Sequence, residues 1–199
     1  MLKILEASYL AGARGIEAIP SGRILDAARI MNEQYKDYVI TGSTYPGKDP
    51  GIEALIDAGV KLIFVHGIIS DLKGRDLIKL LDDISNRGII PGIATHDPIH
   101  TLEYSIENSL NVRAFLIPFN AIGDLMGNMK KLEDIVNRTE EYYFIGMKTL
   151  AAGAIKPDIA FNYISHHNIC AVTIGMVTTK QAKESTKIAL ESLKRKNKC

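Results

Sequence analysis

The stretch from Lys61 to His96 decides the fold. It opens Lys61-Leu62-Ile63-Phe64-Val65-His66, carries Leu77, Leu80, Leu81 and Ile84 at helical spacing, stops at Gly88, and closes Ile89-Ile90-Pro91-Gly92-Ile93-Ala94-Thr95-His96. The two flanking runs are short and continuously apolar rather than alternating, which is how a strand covered on both faces reads. The segment between them, Leu72–Asn86, has the period of an amphipathic helix and ends at a glycine of the kind that closes helices. Strand, helix and strand in this order are the repeating unit of a parallel sheet.

The same rhythm runs outward in both directions. Further strand candidates are Ile16–Pro20 and Tyr38–Ser43 upstream, then Val112–Pro118, Tyr142–Lys148 and Ile169–Ile174 downstream. Asp49-Pro50 reads as an N-cap with proline at the first helical position, and Gly59 closes the helix that follows. Pro157 opens a helix carrying Ile159, Phe161 and Ile164, and Thr178 with Gln181 forms a capping box before the last helix. Leu2–Ala13 reads as a helix, with Ile4, Leu5, Tyr9 and Leu10 on one side. Its own strand would lie before Met1. The expectation is a TIM-type (β/α) barrel forming one domain over residues 1–199, with seven strands and the first strand lacking. A sheet left open this way has unpaired edges, which proteins usually cover, so a homo-oligomer is expected.

Composition narrows the function. The chain has 199 residues, is 46% hydrophobic, and carries a net charge of +1. That balance offers no global field for nucleic acid or anionic lipid. The basic tail Lys194–Lys198 reads as the solvated end of the last helix, complementing its dipole. No apolar run is long enough to span a membrane, and Lys3 and Glu6 interrupt any signal peptide. Cys170 and Cys199 make no disulfide framework and are expected to stay reduced in a cytoplasm.

In such a barrel chemistry gathers at the carboxyl ends of the strands. That rule selects Glu17 and Ser21, Ser43 and Tyr45, His66, His96 and Asp97, Asn120, Lys148, and Gly175 with Thr178. His66 suits a proton donor or a polarising group, or else a histidine satisfied by the backbone. His96-Asp97 reads as a ligand-contacting loop, as a helix cap ahead of Pro98, or as both. A metal held by His96, Asp97 and His100 lacks the usual tight ligand cluster, and no metal is expected. His166-His167 precedes the last strand, on the wrong face for catalysis, and reads as structural. Lys148 could form a Schiff base if buried among apolar groups, bind an anion, or reach to solvent. The small residues after it (Leu150 to Gly153), Gly175, and the hydroxyls of Thr178 and Thr179 allow a phosphate to approach backbone N–H groups.

From about Leu62 to Leu190 the residues resemble the aldo-keto reductase barrel. A strand ending in histidine is matched by Phe64-Val65-His66, and the next strand by Gly92-Ile93-Ala94-Thr95-His96. Pro118-Phe119-Asn120, Met147-Lys148-Thr149-Leu150-Ala151-Ala152-Gly153 and Ile174-Gly175-Met176 follow in the family's order. The resemblance implies a nicotinamide cofactor, NADP or NAD, near Asn120, Leu150, Gly153, Gly175, Thr178 and Thr179. It implies a small carbonyl substrate near His66, His96 and Asp97, with Lys148 adding charge. The first half departs from the family. No aspartate–tyrosine pair follows Ile19-Pro20, and Ile40-Thr41-Gly42-Ser43 ends without the family's lysine. Two alternatives therefore stand beside the oxidoreductase: a lyase or aldolase using Lys148, with Glu17 or His66 as base, and a barrel that only binds a ligand.

Overall fold

The computed structural model describes residues 1–193, so the basic tail and Cys199 lie outside the described residues. Seven parallel strands run in chain order through one sheet: β1 Gly15–Ala18, β2 Val39–Ser43, β3 Leu62–Val65, β4 Ile90–Ala94, β5 Ala114–Pro118, β6 Tyr143–Met147 and β7 Ala171–Val172. The sheet curls into a half-barrel. Among the described residues no ladder joins β7 back to β1. All seven strands stand where the apolar runs place them. The last is the exception in length: Ile169–Ile174 contracts to the two residues that pair with β6.

Alternation along each strand makes two apolar layers. Outward residues Ala18, Ile40, Ile63, Val65, Ile93, Phe115 and Ile117 pack under the helices. Phe64, Ala94, Ala114 and Leu116 point inward with Leu62, Ile145 and Met147, forming the concave wall. Gly92 belongs to this wall: a Cβ there would lie 2.6 Å from the Phe64 ring.

The helices are α1 Leu2–Leu10, α2 Gly22–Gln34, α3 Ile52–Asp57, α4 Gly67–Leu72, α5 Arg75–Asn86, α6 Pro98–Glu107, α7 Met129–Arg138, α8 Pro157–Ile164 and α9 Thr179–Leu193. The N-terminal segment is helical, as expected. Helix α1 packs on α2 and on α9, so the outer ring of helices meets where the sheet stays open. Two helix boundaries differ from the sequence reading. The segment Leu72–Asn86 is split at Lys73 (φ 62) and Gly74 (φ 78), which turn the chain between α4 and α5. Asp49 does not cap a helix begun by Pro50. Its carboxylate accepts from the Gly51 N–H at 2.9 Å, and the cap is Gly51 in the left-handed region. Cys170 is disulfide-bonded rather than reduced. Among the described residues, no helix is long and apolar enough to cross a membrane.

Candidate functional site

The carboxyl ends of the parallel strands lie at one mouth of the sheet, and His66 stands at the end of β3. It terminates β3 and caps α4, its Nδ1 accepting from the Ile68 N–H at 3.2 Å. Its own backbone N–H donates to the Thr44 hydroxyl at 3.0 Å, tying it to the end of β2. With Nδ1 acting as acceptor, the proton of the neutral ring sits on Nε2. Burial holds its pKa below the ordinary histidine value. His96 adds to this, and the Asp71 carboxylate opposes it. At neutral pH His66 is thus a neutral ring with one N–H to donate.

His96 follows β4 and lies over the start of α4, where a Cβ on Gly67 would come within 2.7 Å of its Nδ1. Asp97 caps α6 and is held by Lys73 at 3.6 Å and by His100 at 2.7 Å. Beside them a cavity of about 340 Å³ is lined by His96, Asp97, His100, Leu125, Asn128 and Lys131. Asn128 caps α7, so the first turns of α6 and α7 both border this cavity.

Glu17 points inward from β1. Its Oε1 is buried without a hydrogen-bond partner, and burial raises its pKa while Ser43 pulls the other way. Nearby, the Ser21 and Tyr45 hydroxyls share a hydrogen bond across the ends of β1 and β2.

On the opposite side, β6 ends in an unusual turn. Lys148 (φ 55), Ala151 (φ 44) and Ala152 (φ 53) join Gly153 (φ 92) in the left-handed region. Lys148 is exposed, so the apolar surroundings a Schiff-base lysine needs are absent. Gly175 stands in the exposed loop before α9, with open space where a side chain would be. Thr178 caps α9, its hydroxyl accepting from the Gln181 N–H at 3.1 Å, while the Gln181 amide reaches back to the Val177 N–H. Thr179 begins that helix, and the N–H groups of a first turn have no partner within their helix.

Asn120 is placed differently from its neighbours. It is fully buried, and its amide group bonds to Asp124 and Ile122 within its own loop. It braces the loop and has little left for a ligand. His166 and His167 lie away from the mouth, and His167 packs on Phe119 and Tyr163. Sequence reasoning missed Asp71, Thr95 and Thr101, which join α4, β4 and α6 beneath the mouth. No local pattern marks them, because their contacts cross between separate strand–helix units.

No protein-family model matches the sequence, and no curated protein matches it. Solved structures do resemble the fold. A Pseudomonas aeruginosa protein assigned to the aldo-keto reductases aligns with a TM-score of 0.71 at 14% identity, covering 96% of this chain and 82% of its own. The chain has an aldo-keto-reductase-like fold. A Gox0644 variant in complex with NADPH aligns with this reductase-like half-barrel at 0.66 and 10% identity, covering 98% of this chain and 83% of its own. The 2-keto-3-deoxy-6-phosphogluconate aldolase of Zymomonas mobilis, with 3-phosphoglycerate, aligns at 0.59 and 19% identity, covering 94% and 83%. At these identities the likeness is one of fold.

Proposed function

We propose that the protein is an NAD(P)-dependent oxidoreductase acting on a small carbonyl compound. The observation that carries this reading is the state of His66: a neutral imidazole, fixed with its proton on Nε2, at the mouth of a reductase-like barrel. Such a donor polarises a carbonyl oxygen and stabilises the negative charge that grows on it. His96 and Asp97 border the space where the rest of a small substrate would lie.

The far side of the mouth suits a nicotinamide dinucleotide. Gly175 leaves room for close approach. The first turn of α9, beginning at Thr179, offers N–H groups beyond the Gln181 N–H that Thr178 caps, and the positive end of a helix dipole. Lys148 adds an exposed cation, and the turn from Leu150 to Gly153 shapes the adjoining wall. These residues would hold the pyrophosphate, and the bound cofactor would supply the hydride. Thr178 contributes by capping the helix.

The test is loss of NADPH or NADH, followed by cofactor emission, against a panel of small aldehydes and ketones. Saturable turnover is expected. Absence of turnover with every pair would contradict the reading. A second reading, a lyase, draws support from Glu17, a buried carboxyl whose raised pKa would make its carboxylate a stronger base. The exposure of Lys148 counts against it. Borohydride trapping of a covalent adduct between Lys148 and a small ketone would favour the lyase. Tight ligand binding with neither reaction would leave a barrel that only binds.

A further inference from the structure

We propose that Asp71 is the positioning residue of this mouth: its carboxylate fastens the end of β4 to α4 and so seats the His96 imidazole beside His66. The inference rests on His66 being the group that faces the substrate. Three donors converge on Asp71 from another part of the fold. The hydroxyls of Thr95 and Thr101 donate to Oδ1, the second at 3.0 Å, and the His96 backbone N–H donates to Oδ2 at 2.9 Å. Both threonines are fully buried. Thr95 passes the constraint along by accepting from the Asp97 N–H at 2.9 Å. A polar network with every member satisfied holds one arrangement against its alternatives.

The consequence is visible at Gly67, the residue after His66. Its backbone does not call for glycine, since its φ is not positive. What calls for glycine is the His96 ring, which occupies the space a side chain would need. The fastening of β4 thus brings the second imidazole against the helix that His66 caps.

The charges around the pair single out Asp71. Asp97, in the turn before α6, is offset by Lys73 of α4 and His100 of α6. Lys131 of α7 is offset by Glu103 of α6 at 2.6 Å. Asp71 forms no ion pair among the described residues, and its charge acts on the His66 imidazole. For His66 it acts to favour the protonated form, whereas His96 and burial act against it.

The test follows the His66 ring resonances across pH by NMR in the full chain, with no assumption about turnover. Asp71→Asn removes the charge, and the His66 midpoint should fall. His96→Gln removes the neighbouring imidazole, and the midpoint should rise. An unchanged midpoint in both variants would overturn the proposal. So would an Asp71→Asn protein that only melts at lower temperature. Should that variant not fold, Thr101→Val, which deletes one donor and keeps the charge, should displace the His96 amide resonance; a wild-type position would overturn the proposal. NADPH titration in parallel separates the two claims. Opposite midpoint shifts in a chain that does not bind NADPH would keep Asp71's role and discard the reductase reading.

Discussion

His66 combines two roles that a substitution can separate. The strand-end position suggests that its loss costs little stability, yet its Nδ1 caps α4. Asparagine is a strong N-cap, so His66→Asn should keep near wild-type stability, while His66→Ala should lose about 1 kcal/mol. Carbonyl reduction should drop by about 10²-fold in both. Urea unfolding beside initial rates reads both effects, and full activity in His66→Asn would refute the catalytic role. Glu17 gives a second residue-scale prediction. Its folded pKa is raised above the unfolded value of 4.5, so the folded protein holds this proton more tightly. The associated stability is complete below pH 4.5 and is lost as pH rises through the folded value. Glu17→Gln stays neutral, so it should be more stable than wild type at neutral pH and converge with it in acid. A less stable variant at neutral pH would contradict this account.

At the scale of elements, the turn after β6 concentrates backbone strain. A residue with a side chain in the left-handed region costs roughly 1 kcal/mol, and Ala152 adopts it at φ 53. Ala152→Gly should therefore stabilise the fold by up to about 1 kcal/mol, less the entropy glycine gives the unfolded chain. A lower urea midpoint would show that the turn is not strained. The strands themselves were legible, because a doubly covered strand must be an apolar run. Their ends were less so: Ile19-Pro20 and Ile169 look like strand but have no partner to pair with. The break between α4 and α5 was missed because Leu72 fits the helical period on either side of it. Within the site, the strand-end positions were legible because barrel geometry gathers them. Asp71 was not, since its partners Thr95 and Thr101 lie in the next strand–helix unit and leave no mark on the sequence around it.

For the molecule as a whole, closure depends on helices rather than on hydrogen-bonded strands. Gly12 sits at the junction of α1 and α9, with φ 112 and a Cβ position 2.5 Å from the Leu190 side chain. Gly12→Ala should force these helices apart and cost about 1–3 kcal/mol; unchanged thermal unfolding would mean the junction carries little load. The open sheet edges also lead us to expect self-association. A single 21.9 kDa species in sedimentation at micromolar concentration would contradict that. The proposed nicotinamide site lies on the side of the half-barrel mouth opposite His96. Titrating NADPH into isotope-labelled protein tests it most directly. Saturable amide shifts are expected, concentrated at Leu150–Gly153 and Gly175–Thr179, with His66 following when a small carbonyl compound is added. Shifts absent at saturating NADPH, or confined to residues away from the mouth, would contradict it.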